Sequence, residues 1–251
     1  MFDTPASRRS FVRGALITAT ALSLPARRAA AMEAGRKHIV LLGDSIFANR
    51  AYVGDSPDVI EQLSKRLLAG ARATLGAMDG SVTSGVRLQL QIAPEDATHF
   101  VISAGGNDAL HYASLLGEKA SSVGEALEKL AVVREVFEQE YRAMLDEVVA
   151  RGLPVAVCTI YDARFPDAKQ RRLASLGLTI FNDCITREAS ARGLALIDLR
   201  LICTAEEDLA NPIEPSVIGG AKIASAIAAF ASDYDWTKGR CEVFAGASAK
   251  T

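Results

Sequence analysis

The 251-residue chain has only three histidines (His38, His99 and His111) and four cysteines. Four cysteines, none of them in a C-x-x-C pair, are too few for a disulfide-stapled scaffold. Imidazole is the common base at neutral pH, so a chain this poor in it must place each histidine carefully or do without. No His/Cys/Asp spacing fits a coordination sphere, so neither a metal nor another cofactor is expected. The formal charge of −2 leaves no basic surplus for phosphates, which argues against a nucleic-acid partner. No uncharged apolar run approaches the roughly 18 residues a membrane span needs. Aromatic residues make up 6% and offer no evident platform for stacking sugars. What is present, 49% hydrophobic and 23% charged residues, is the composition of a globular α/β-sized domain.

Residues 1–31 read as an export signal. Ser7-Arg8-Arg9-Ser10-Phe11-Val12 precedes a short apolar run from Gly14 to Leu24, and Ala29-Ala30-Ala31 follows. Charged region, apolar region and small-residue site are the parts of a secretory signal, and the arginine pair is similar to the twin-arginine export signal of bacteria. Periplasmic or secreted localisation is the expectation. Cleavage after Ala31 would leave 23 Lys+Arg against 29 Asp+Glu, a charge of −6. The rest divides into a single domain over 37–236 and a C-terminal tail over 237–251.

Within the domain, short apolar runs alternate with helical patterns. Strands are expected at His38–Leu42, more weakly at Ala71–Met78, and again at Phe100–Ser103, Val155–Ile160 and Leu194–Leu199. Helices are expected at Pro57–Leu68, Thr83–Ile92, Ser122–Arg151, Asp167–Arg192 and Gly220–Tyr234. Leu68, Leu88 and Ile92 are placed on inward faces. Ser122 and Glu125 form a candidate capping box. The alternation predicts βαβ units, a parallel sheet and helices on both faces.

In such a sheet ligands bind beyond the carboxyl ends of the strands. The segments there are Gly43-Asp44-Ser45, Asp79-Gly80-Ser81, Gly105-Gly106-Asn107-Asp108 and Asn211-Pro212-Ile213-Glu214-Pro215-Ser216. A serine at a strand-to-helix turn can present its hydroxyl as a nucleophile. The Ser45 N–H, the Gly80 N–H and the Asn107 amide would together make an oxyanion hole for acyl transfer.

These four blocks, in this order, resemble the SGNH hydrolases, also called GDSL esterases and lipases. The resemblance covers about 38–234. It implies a flavodoxin-like three-layer α/β/α sandwich with a five-stranded parallel sheet, and hydrolysis of small acyl or acetyl esters. Gly80 aligns least securely with the family's oxyanion glycine, and Gly85 is the alternative.

The chain departs from the pattern in the last block, D-x-x-H in the family and Asn211-Pro212-Ile213-Glu214 here. Asn211 stands where the family has its catalytic Asp, and Glu214 where it has its His. A carboxylate near pKa 4.3 is a poor base for a serine hydroxyl, but burial can raise it into a useful range. Glu214 and, failing it, His111 are the candidate bases; His38 and His99 open strands at the far edge. The alternative is a non-catalytic module binding a small ligand or carbohydrate on a retired hydrolase fold. Oligomeric state is open, and the expected partner is a small-molecule ester.

Weaker signals complete the reading. Gly219-Gly220-Ala221-Lys222 lacks P-loop spacing and reads as helix packing. Cys158 and Cys184 read as buried thiols, and Cys203 could pair with Cys241 in an exported protein. Asp162, Arg164 and Phe165 are placed on the pocket wall by position.

Overall fold

The computed structural model describes residues 37–246; the export-like segment lies outside the described residues. Six parallel strands form one sheet in the order β2-β1-β3-β4-β5-β6. They are β1 (His38–Gly43), β2 (Arg72–Leu75), β3 (His99–Ser103), β4 (Val155–Cys158), β5 (Ala195–Ile197) and β6 (Val243–Phe244). The helices, in chain order, are α1 (Arg50–Val53), α2 (Val59–Ser64), α3 (Gly85–Gln91), α4 (Gly106–His111), α5 (Val123–Val149), α6 (Ala168–Ala191), α7 (Leu199–Ile202) and α8 (Val217–Asp233).

Alternation along the strands builds two cores, because successive side chains point to opposite faces. Val40 and Leu42 of β1, Phe100 and Ile102 of β3, and Val155 and Val157 of β4 point to the face covered by α3, α5 and α6. Ile39 and Leu41, Val101, and Ala156 and Cys158 point to the face covered by α2, α7 and α8. All of these are buried, as a parallel sheet covered on both sides requires.

The three-layer parallel architecture is as expected, but with six strands in place of five. The sixth comes from the segment read as a tail: Val243 and Phe244 pair with Leu196 and Ile197. Two residues carry too little pattern to announce a strand; β5 recruits them by offering an unpaired edge.

Several inward assignments fail. Leu88 and Ile92 face solvent, and α3 buries Val86, Gln89 and Leu90 instead. The helix from Val59 stops at Ser64, which leaves Leu68 outside and 78% exposed. Ser122 caps α5 by accepting from the Glu125 N–H, but the Glu125 carboxylate turns to Ser121, so the reciprocal half of the box is absent. The Cys203–Cys241 pairing is not made: all four thiols are free, and the two belong to opposite cores. Among the described residues no helix is long and apolar enough to cross a membrane.

Candidate active site

With the order 2-1-3-4-5, the chain leaves β1 and β3 in opposite directions, and their carboxyl ends open the crevice where such folds bind ligands. Ser45 follows β1 and Asn107 follows β3, so the two blocks meet at that switch point. Two glycines make the junction possible. Gly43 sits at φ 122°, and a Cβ there would fall onto the Ser103 carbonyl of β3. Gly105, at φ 113°, turns the chain into α4 against Phe137 and Ile160, both within 3.3 Å of where its Cβ would be. Both positions combine left-handed backbone with no room for a side chain, so only glycine fits.

Gln89, buried in α3, locks the nucleophile turn. Its Oε1 accepts from the Gly43 N–H (2.6 Å), while its Nε2 donates to the Gly43 carbonyl (2.8 Å) and the Ser81 hydroxyl (3.1 Å). Asp108 holds the facing loop through the Thr83 N–H (3.0 Å) and hydroxyl (3.1 Å). Asn107 Nδ2 donates to the Ser81 carbonyl at 2.9 Å, which occupies one amide hydrogen and leaves the other for a ligand.

Ser45, Asn107 and Glu214 line one cavity of about 490 Å³, together with Asp44, Ser103 and Gly106. Among the described residues the Ser45 hydroxyl and backbone N–H have no partner. Gly80 and Gly85 lie outside that wall, but they differ: the Gly85 N–H is donated to Val82 O (2.9 Å), whereas the Gly80 N–H is unclaimed among the described residues. His111 ends α4 exposed, near Asp108 and outside the cavity wall. His38 is bound to Asp96 (3.0 Å) and Thr74 (2.8 Å) at the opposite end of β1, roughly 20 Å away along the strand. Phe165 lines the cavity; Asp162 and Arg164 do not.

The loop carrying Asn211 and Glu214 is closed at its base by an antiparallel bridge between Leu209 and Pro215. Asn211 Oδ1 accepts from the N–H groups of Ile213 (2.9 Å) and Glu214 (3.0 Å), the local turn that asparagine favours. Tyr161 OH donates to Ile213 O (2.8 Å), and the Arg164 N–H to Pro212 O (2.7 Å). Below, buried Asp208 accepts from Lys222 Nζ (2.8 Å) and its carbonyl from the Ser216 N–H (2.9 Å). A Cβ on Gly219 would meet that same carbonyl, so the glycine run serves helix packing.

Burial holds the Glu214 carboxyl above the usual carboxylate range; a hydrogen bond with Asn211 opposes the shift, and Asp79 adds repulsion. Asp44 is a wall residue that the motif reading passed over. Burial pushes it to about 7, although the Ser103 hydroxyl (2.9 Å) and the Ile46 N–H (3.2 Å) both donate to it. Its signal in the sequence is a carboxyl directly after a buried strand, but nothing local says that the carboxyl is dehydrated.

Fold and site thus define a three-layer α/β protein with a serine-centred cavity at the switch point of its sheet. A family model described as GDSL-like lipase/acylhydrolase matches residues 41–217, and the chain belongs to that family. Solved structures carry the same fold. An extracellular lipase from Streptomyces rimosus is 21% identical with a TM-score of 0.55, over 74% of this chain and 95% of that one. A lipase/acylhydrolase from Enterococcus faecalis gives 21% and 0.55, over 76% and 95%. A phospholipase A1 from Streptomyces albidoflavus gives 17% and 0.54, over 74% and 95%. Among curated proteins none matches the sequence.

Proposed function

We propose that this protein hydrolyses carboxylic esters through Ser45, with Glu214 as the base. The observation that carries the reading is the convergence of Ser45, Asn107 and Glu214 on one cavity. Ser45 Oγ adds to the ester carbonyl carbon while its proton passes to the Glu214 carboxylate, and the carbonyl electron pair moves onto oxygen. The Ser45 N–H and the second Asn107 amide hydrogen, both on the cavity wall, are the donors for that oxyanion, and the unclaimed Gly80 N–H, outside the wall, is the candidate third. Collapse breaks the bond to the alcohol, which leaves with the proton from Glu214. Water then attacks the acyl-serine, again giving a proton to Glu214, and the collapse breaks the acyl–Oγ bond and frees the acid as Glu214 returns that proton to Ser45 Oγ.

Only ionised Glu214 can accept the proton, so activity rises with pH through its raised pKa. Glu214→Gln keeps the shape and removes the base; a loss on the order of 10²–10⁴ in kcat is expected. Undiminished turnover overturns Glu214 as base and shifts attention to His111. Asn211→Asp with Glu214→His rebuilds the family block and is expected to raise turnover.

A binding role without chemistry is the second reading, favoured by the carboxyl at the family's imidazole position. A fluorophosphonate probe separates the two: labelling at Ser45 supports the nucleophile, and ligand binding without labelling supports the binding module. Export is proposed from the sequence of residues 1–31. Fractionation should find mature protein outside the cytosol, and cytosolic protein retaining those residues overturns it.

A further inference from the structure

Away from Ser45 the cavity continues between α4, α5 and α6, where Leu110, Leu115, Leu130, Val133, Leu173 and Phe181 form its wall. None of these six side chains can hydrogen-bond, so a polar group set among them loses its water with nothing in return; Tyr112, Lys169 and Gln170 are polar members of the lining nearby in sequence. An aliphatic chain gains instead, by roughly fourfold per methylene removed from water.

Gly177 lies on the same wall, in the middle of α6. Glycine inside a helix destabilises it relative to alanine, so the position calls for a reason. Two ordinary reasons fail. Gly177 has no positive φ, and a Cβ there would find nothing within 4 Å, so neither backbone conformation nor close packing requires it. What glycine leaves at this position is space. Gly117, on the wall beyond α4, is alike in both respects.

Resting on the ester-hydrolase reading, we propose that this chamber receives an extended aliphatic acyl group and that Gly177 sets the depth to which it enters. The substrate class is then the ester of a medium or long fatty acid, not an acetyl ester. Leu110 and Leu173 act as specificity-determining walls.

The test is a series of p-nitrophenyl esters from acetyl through butyryl and octanoyl to dodecanoyl. kcat/KM is expected to climb from acetyl to octanoyl. Gly177→Leu should lower the octanoyl-to-acetyl ratio at least tenfold, and Leu68→Ser, remote and exposed, should leave the ratio at its wild-type value. Should Gly177→Leu not fold, Leu173→Phe fills the same chamber and is read in the same way. A profile that peaks at acetyl, or a ratio unmoved by filling the chamber, overturns the proposal while Ser45 hydrolysis stands. If no ester is turned over, the hydrolase reading fails separately, and calorimetric titration of the full chain with octanoate decides the chamber. Binding weakened tenfold by Gly177→Leu supports it; no binding overturns it.

Discussion

The two faces of the sheet are built differently. On one, α8 lays Ile223, Ile227 and Phe230 flat onto the strands, and Phe230 packs against His99, Tyr234 and Phe244 with ring centroids 5.4–6.0 Å apart. On the other, the long helices α5 and α6 meet at Phe137 and Tyr141 but leave a chamber toward their N-terminal ends, with Phe181 on its wall. One face is filled to stabilise; the other keeps a space beside Ser45. The difference teaches where truncation should hurt. A side chain surrounded on all sides leaves a cavity when shortened, whereas one already beside open space loses fewer contacts.

That contrast can be broken most directly with two phenylalanines. Phe230→Ala is expected to cost about 3–5 kcal/mol, the range for a fully enclosed ring, while Phe181→Ala should cost roughly half as much. Equal losses in urea denaturation would show that the chamber face is packed as tightly as the other.

The anchoring of the 209–216 loop to α8 comes next. Lys222→Met leaves the Asp208 carboxylate buried without its cation and should destabilise by about 2–3 kcal/mol, below the fully buried case because Lys222 is partly exposed. Turnover should fall further than global unfolding explains, because the loop carrying Glu214 loses its base. Activity unaffected at a temperature where the variant is folded would separate the anchor from the site.

Asp44 stands on the chamber side of β1, and its dehydration makes a pH-dependent prediction. Its folded pKa lies above its unfolded one, so the folded state holds the extra proton between about pH 4 and 7, and stability falls across that window as pH rises. Asp44→Asn removes the penalty. It should stabilise the protein at pH 8 and change nothing near pH 4, read as the difference in Tm between the two pH values. Destabilisation at pH 8 would mean that the ionised carboxylate is welcome there.

The smallest effect sharpens the comparison from the other side. Gly177→Ala should stabilise α6 by about 0.5–1 kcal/mol, since the added methyl meets open space. A loss of stability would mean that the position is crowded, and the chamber narrower than its wall suggests.

The sequence alone determined the layered parallel sheet, because its central strands are short, almost continuous apolar runs and its helices carry one apolar stripe. It determined as well which blocks lie at the carboxyl ends of the strands, since connection order and chain direction leave them nowhere else. It did not decide which surfaces those blocks shared. Leu88 and Leu68 match a helical period yet face water, because period fixes spacing and not where a helix ends or which way it rolls. The Val243–Phe244 pairing, the dehydration of Asp44 and the space beside Gly177 arise from segments distant in sequence. Each depends on what another part of the chain brings, or fails to bring, to the same volume, and only tertiary packing settles that.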